Sequence, residues 1–160
     1  ATLDSSSFPR APRTAVYLVS NPTTVPHALL HNIKHNLTLH ERNLVVTVVF
    51  AEEPWIESAQ RTAVHELGKG FWQVNLTFGF MEQPDVPAAL ALCSAHGLPF
   101  DLYRASFFVS RQTVVPTRGA GMAQWREELF AALTRNAGSV VNFFCLPGNQ
   151  VVELGSRVHI

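Results

Sequence analysis

Three segments near the start of the chain decide the fold: TAVYLVS at 14–20, ALLHNIKHNL at 28–37 and NLVVTVVFA at 43–51. The first is rich in β-branched residues and is followed by Asn21-Pro22, which predicts a strand that ends in a turn. The second has leucine and isoleucine at helical spacing. The third is almost continuously apolar, a pattern typical of a central strand covered on both faces. Their order predicts a parallel, right-handed βαβ unit.

The rest of the chain adds a hairpin and further helices. Two strand-like runs, Arg61 to Leu67 and Phe71 to Phe80, are joined by Gly68-Lys69-Gly70, which predicts an antiparallel pair. We therefore expect a single α/β domain with a mixed sheet: an initial parallel βαβ unit, an antiparallel hairpin and flanking helices. The other predicted elements are a helix capped by Asp85 over Ala88 to His96, a strand over Ser106 to Val115, a helix over Met122 to Asn136, a helical turn at 139–144, and short strands at 150–154 and 157–160.

The first helix is predicted to begin near Pro26, a favourable first-turn residue, and to be amphipathic. Histidines at four-residue spacing could bind zinc or nickel, but no acidic residue or cysteine nearby completes a site, so a solvated face is favoured. No metal is expected. The predicted apolar stripe consists of Leu29, Leu30, Ile33 and Leu37. The row on the opposite side of the helix consists of His27, His31 and His35.

Composition bounds the class of protein. The net charge of the 160 residues is zero, which argues against DNA or RNA binding, because neutralising phosphates needs a basic surface. Charged residues make up only 15%, which suggests that part of the surface meets a partner. No apolar run approaches the ~18 residues of a membrane span, so a soluble chain is expected. Cys93 and Cys145 are predicted to be buried, unbonded thiols of a reducing compartment.

Residues 1–13 are rich in serine and proline, with Pro9 and Pro12 among them. This composition predicts a linker with little structure of its own. Residues 14–160 are then expected to form the folded domain.

Two regions offer candidate binding residues. Arg118, Gly119 and Gly121 precede a predicted helix, where free backbone N–H groups, with Arg111 nearby in sequence, could hold a phosphate. A plain glycine turn is the favoured alternative. His35 and Arg42 flank the end of the first helix, where a structural role at the helix carboxyl end competes with a binding role.

Arg126 falls within the apolar arc of the last long predicted helix. A cation there must pair with a carboxylate, extend its head group to water, or serve an interface or ligand. We predict a structural ion pair, with Glu41 or Glu82 as candidate partners. No nucleophile motif, zinc-binding helix motif or paired-cysteine site is present, so neither a catalytic residue nor a cofactor is predicted and the chain is not expected to be an enzyme.

Several segments together resemble the C-terminal domain of Kup-type potassium permeases of bacteria. One departure is His27, where the family pattern has proline, which weakens any family role for the histidine row. The matching segments are TAVYLVSNP (14–22), ALLHNIKHNLTLHERN (28–43), FGFMEQPDVPAAL (78–90), SFFVSRQTVVP (106–116), MAQWREELFAALTRNA (122–137) and LPGNQVVELGSRVHI (146–160).

The resemblance implies a role that composition alone could not indicate. Such permeases carry potassium coupled to protons through a large membrane domain, so the ion-coordinating residues would lie outside this chain. Residues 1–13 would be the tether, and the domain would lie at the cytoplasmic face of the inner membrane. Some relatives use this part to dimerise and to sense a cyclic dinucleotide.

Three functional hypotheses follow. The first is a regulatory, dimerising tail of a proton-coupled potassium transporter that transports nothing by itself, with a homodimer partner, the membrane domain of the same polypeptide and a cyclic dinucleotide as expected partners. The second is a purely structural tail without a ligand. The third, a remote alternative, is an independent small-molecule enzyme.

Overall fold

A computed structural model describes residues 9–23, 25–115 and 140–159, with residues 111–115, 140 and 156–159 described by their backbone alone. Short 3₁₀ turns occupy Leu92–His96, Leu102–Arg104 and Gly148–Gln150. The described strands and helices are β1 (Arg10–Val19), α1 (His27–Asn36), β2 (Leu39–Ala51), α2 (Ser58–Arg61), β3 (Thr62–Gly68), β4 (Phe71–Gly79), α3 (Val86–Ala91), β5 (Ala105–Val115), α4 (Val140–Phe143) and β6 (Val151–His159).

The strands form one sheet in the order β3-β4-β2-β1-β5-β6. β1 is parallel to β2 and β5, β2 is parallel to β4, and β5 is parallel to β6. Among the strands that the structure describes, only the β3–β4 pair is antiparallel. The predicted parallel βαβ unit, the hairpin and the mixed α/β sheet are therefore confirmed.

Two apolar layers cover the sheet, because neighbouring residues of β1 point to opposite faces. Val16 belongs to the larger layer, which also receives α3, and Tyr17 belongs to the smaller layer under α1. Tyr17 is fully buried and stacks on Phe108 with ring centroids 5.0 Å apart. Each fully buried large side chain contributes about 1.5–3 kcal/mol of transfer free energy, so both layers hold the strands together.

The buried face of α1 differs from the predicted stripe. Ala28, Leu29 and Asn32 are its buried residues, whereas Leu30 and Leu37 are exposed. Asn32 is satisfied inside the fold, since its side-chain amide donates to the carbonyl of Thr38 at 3.2 Å. The predicted stripe was wrong at Leu30 and Leu37 because it assumed that the most apolar side of the helix faces the sheet. The side that is buried instead carries Asn32, whose amide binds the connection between α1 and β2.

Two strand predictions are also corrected. β1 begins at Arg10, within the segment predicted to be a linker, so Arg10 to Arg13 belong to the sheet. The two predicted terminal strands are one strand, β6, because Gly155 is not in a left-handed conformation and is paired with Arg111 of β5. A glycine in extended conformation weakens a strand without ending it.

The predicted helix after Asp85 is present in a shorter form. The Asp85 carboxylate accepts the Ala88 N–H at 3.0 Å, and α3 passes into a 3₁₀ turn that ends at Gly97 with φ of 80°. Cys93 is buried and unbonded, and burial raises the pKa of its thiol to about 11. Cys145 is also unbonded but only half-buried, contrary to prediction. The predicted helix at 122–136 lies outside the described residues.

Candidate ligand-binding crevice

The strand order creates a crevice at the carboxyl end of β1. The chain leaves β1 through α1 and returns as β2 on one side, whereas β5 pairs with the other side of β1. Connections that diverge from neighbouring parallel strands leave an opening beyond their carboxyl ends, and open α/β sheets bind ligands at such points.

A cavity of about 570 Å³ occupies this position. That volume lies within the range of small-molecule sites. Its described wall is largely apolar, and its rim carries hydroxyl, amide and imidazole groups. The described apolar lining consists of Leu18, Val19, Val25, Pro26, Val48, Val109 and Phe144, and the polar lining of Ser20, Asn21, His27 and Ser110.

The connection between β1 and α1 shapes one side of the crevice. Asn21 Oδ1 accepts the N–H of Thr23 at 3.0 Å and its hydroxyl at 2.8 Å, which holds the turn. Pro26 precedes the helix without a side-chain cap, and the first helical bond runs from Leu30 N–H to the Pro26 carbonyl at 3.2 Å. The first-turn N–H groups therefore have no intrahelical acceptor and favour an anion at this end.

The sequence-predicted site residues are not gathered here. Arg111 directly follows Ser110, so only its backbone position on β5 is close to the crevice. Arg118, Gly119, Gly121 and Arg126 lie outside the described residues. The crevice residues themselves were missed, since small polar groups after a strand carry no motif; the available signal was the strand followed by Asn21-Pro22.

His35 and Arg42 lie at other places. The His35 ring is exposed on the last turn of α1, with its centroid 5.0 Å from that of His31, and both line a separate cavity of about 220 Å³. Among the side chains that the structure describes, no group of three or more histidine, cysteine or acidic residues could hold a metal ion. The absence of a metal requirement stays a prediction.

Arg42 belongs to a group of arginines at the amino ends of the parallel strands. Together with Arg13 and Arg104 it lines a small polar cavity of about 140 Å³, to which Glu41 and Asp101 also contribute. The Arg42 guanidinium donates to the Pro99 carbonyl at 3.1 Å. Sequence reasoning treated Arg42 alone, because the segment holding Arg13 was interpreted as a linker.

His40 lies two residues before Arg42 in β2 and is half-buried. Its ring packs edge-on against Phe108 with centroids 5.8 Å apart, and its Nδ1 has no hydrogen-bond partner among the described residues. Burial, together with the nearby Arg13 charge, lowers the pKa of His40 below its usual value of 6.5. The positive charge of this edge at neutral pH is therefore carried by the arginines.

At the opposite, carboxyl ends of β2 and β4, an ion pair joins Arg61 and Glu82. The same carboxylate accepts the N–H groups of Ile56 and Gly79, and Arg61 stacks on the Phe78 ring at 4.8 Å. The hydrogen bond from Arg61, followed by that from Gly79, lowers the pKa of Glu82. Glu82, predicted as a candidate partner of Arg126, is thus already paired with Arg61.

Comparisons with known proteins agree with one another. The family described as "K+ potassium transporter C-terminal domain" matches residues 12–160. The chain is 58% identical over 151 residues to "Probable potassium transport system protein Kup 2" of Albidiferax ferrireducens, and 48% identical over 151 residues to "Probable potassium transport system protein Kup" of Nitrosospira multiformis. In both cases the match covers 94% of this chain but only 24% of the relative. No solved structure matches the chain.

These relatives are named for transport rather than for catalysis, and this chain spans about a quarter of their length. Within the part of the chain that the structure describes, no helix has the length and hydropathy needed to cross a bilayer. The family match extends over nearly all of the sheet described above, from β1 to β6. The chain belongs to the family of potassium transporter C-terminal domains.

Proposed function

We propose that this chain is the regulatory and dimerising C-terminal domain of a proton-coupled potassium uptake transporter, placed at the cytoplasmic face of the membrane and without a transport step of its own. The observation that carries the regulatory part is the crevice of about 570 Å³ at the carboxyl end of β1, beside the middle of β5. A purely structural tail has no need of such an opening.

A cyclic dinucleotide is the ligand class that we propose for this crevice. Leu18, Val48 and Phe144 offer apolar surface to a base, and the first turn of α1 offers N–H groups to a phosphate. None of the described lining residues is acidic, so phosphate approach meets no carboxylate there.

Ligand-induced stabilisation tests this proposal. The melting temperature of the purified chain is measured with increasing cyclic dinucleotide, and should rise with ligand concentration because binding to the folded state stabilises it. Ser20→Glu places a carboxylate at the crevice rim and should weaken binding at least about tenfold, a change of about 1.4 kcal/mol. Ser94→Glu, at an exposed serine of the 3₁₀ turn after α3, is the matched control.

Two results would contradict the regulatory proposal. One is a melting temperature that no cyclic dinucleotide changes, which would favour the purely structural tail. The other is equal weakening by Ser20→Glu and Ser94→Glu, which would place the ligand outside the crevice.

The dimerising part of the proposal is supported by exposed apolar side chains. Trp55 is 64% exposed, and Phe80 and Met81 are similarly exposed in the neighbouring turn. Exposed large apolar side chains close together mark association sites in soluble domains. A second copy of this chain is the proposed partner for that surface.

A further inference from the structure

The amino ends of β1, β2 and β5 bring four arginines to one edge of the sheet, here named the arginine edge: Arg10, Arg13, Arg42 and Arg104. Thr14 is in register with both Arg42 and Ala105, so Arg13, Arg42 and Arg104 surround a single level of the sheet. All four side chains belong to exposed residues. No pattern in the sequence links them, since they come from three separate segments.

Three of these guanidinium groups are oriented by main-chain oxygens. Arg10 donates to the His40 carbonyl at 3.4 Å, Arg42 to the Pro99 carbonyl at 3.1 Å, and Arg104 to the Pro12 carbonyl at 3.1 Å. A carbonyl holds a guanidinium in place without cancelling its charge. Each guanidinium has five N–H donors, so most remain available to an oxyanion.

The carboxylates nearby do not neutralise the arginine edge. Glu41 and Asp101 share the small cavity with Arg13, Arg42 and Arg104, but neither forms an ion pair with an arginine in the described part of the chain. Asp101 instead accepts the N–H of Tyr103 at 3.0 Å. Four arginines against two carboxylates leave this edge positive, although the whole chain has no net charge.

The described chain enters the sheet at the arginine edge. The family match is to a C-terminal domain and begins at residue 12, and β1 begins at Arg10, so the remainder of such a transporter precedes the sheet at this edge. In the proposed transporter, the chain that comes from the membrane domain therefore enters the sheet at this edge. The opposite edge, with Trp55, is separated from it by the length of the strands.

We propose that the arginine edge binds the phosphate groups of anionic phospholipids in the membrane that holds the transporter. This inference rests on the proposed cytoplasmic placement of the domain. The cytoplasmic leaflet is negatively charged, and clustered basic residues next to a membrane anchor are attracted to it. Arginine matches phosphate oxygens with paired N–H donors, so the proposed contact is to headgroup phosphates.

Vesicle binding of the 160-residue chain tests the proposal. Its partition onto vesicles of phosphatidylcholine mixed with phosphatidylglycerol should exceed that onto phosphatidylcholine alone by about tenfold or more, and should fall as salt is raised. The triple variant Arg13→Gln, Arg42→Gln, Arg104→Gln should lose that preference. The same three positions changed to lysine should retain part of it, because the charge remains but the paired N–H donors are lost.

A charge-matched control separates the arginine edge from net charge. Ser58→Glu, Gln60→Glu and Gln83→Glu together also lower the net charge by three, but these exposed residues lie at the carboxyl ends of β2 and β4. This variant should bind phosphatidylglycerol vesicles as the unaltered chain does, within about twofold. Equal losses in the two triple variants would overturn the proposal.

A last arm distinguishes a lipid surface from free phosphate. Without vesicles, the melting temperature of the chain should be the same in potassium phosphate and in potassium chloride of equal ionic strength. A stabilisation specific to phosphate would show a free-anion site in place of a lipid surface, and the lipid proposal would fail. Because vesicle binding does not use the crevice, it can fail while a cyclic dinucleotide still stabilises the chain, and the reverse result is equally recognisable.

Discussion

The two ends of the parallel strands use arginine in opposite ways. At the amino ends, Arg42 and its neighbours are exposed and donate to carbonyl oxygens. At the carboxyl ends of β2 and β4, the side chains of Arg61 and Glu82 are each only 13% exposed and are joined to each other. The exposed arginines at the amino ends keep their positive charge available to a partner. The charge of Arg61 is instead neutralised by Glu82 within the fold. Exposure and the available acceptor, rather than residue type, decide which role an arginine has.

The Arg61–Glu82 pair also fixes the position of the loop that carries Trp55. The Glu82 carboxylate accepts hydrogen bonds from the N–H groups of Ile56 and Gly79. The N–H of Phe80 donates to the Glu53 carbonyl at 3.0 Å. A Cβ at Gly79 would overlap the Pro54 carbonyl, so the two loops approach as closely as only glycine allows. These contacts therefore hold the loop that carries Trp55 in place.

The largest expected difference between the two ends is in folding stability. Arg61→Met should lower the free energy of unfolding by about 2–4 kcal/mol, because it leaves the largely buried Glu82 carboxylate without its cation. Arg42→Met should change it by less than about 0.5 kcal/mol, because water replaces the guanidinium at an exposed carbonyl. Urea unfolding of both variants measures the difference. Similar losses in the two would contradict the contrast between the ends.

The dependence of folding stability on pH provides a second test of the Arg61–Glu82 pair. The pKa of Glu82 is lowered in the folded state from its ordinary 4.5, so the unfolded chain takes up the proton first as pH falls. The pair's contribution is therefore fully present above about pH 4.5 and is lost as pH falls through the lowered folded pKa. Glu82→Gln should remove this part of the acid dependence; an unchanged acid profile would show that Glu82 does not contribute it.

A smaller effect is expected on self-association through Trp55. Trp55→Ser should weaken the dimer by about 1–2 kcal/mol, roughly tenfold in Kd, because it removes a large apolar contact. Leu67→Ser, which removes an exposed apolar side chain at the end of β3, should leave Kd unchanged. Added salt should strengthen association, since Glu52, Glu53 and Glu57 are exposed around Trp55 and their mutual repulsion is screened.

Sedimentation over a range of concentrations measures both variants. A chain that stays monomeric at every concentration would refute the dimer proposal. A loss of association in Leu67→Ser but not in Trp55→Ser would move the interface to the other end of the sheet.

The smallest expected effect comes from His40 at the amino ends. Since burial lowers its pKa from 6.5, the unfolded chain binds the proton more readily, and stability should decrease as pH falls from about 6.5 toward the lowered folded pKa. His40→Gln should flatten the profile over that range. Urea midpoints across this pH range measure the slope, and parallel profiles for the variant and the unaltered chain would contradict the assignment.

The candidate crevice was less predictable than the fold. Its position depends on β5 pairing with the free side of β1, a contact between residues about ninety positions apart, such as Thr14 and Ala105. Nothing in either segment alone specifies that neighbour. The Arg61–Glu82 pair was missed for the same reason: each residue is an ordinary charge in its own segment, and Glu82 was considered only as one of two candidate partners of Arg126.

Local pattern alone determined the elements that need only neighbouring residues. The apolar run at 43–51, the alternation in β4, the Asp85 cap and the glycines around Lys69 each specify a strand, a helix start or a turn through short-range geometry. Tertiary structure alone decided which side of α1 is buried, how far β1 and β6 extend, and which charges meet. Those outcomes depend on strand order and on contacts across the sheet, where burial and hydrogen bonding outweigh local preference.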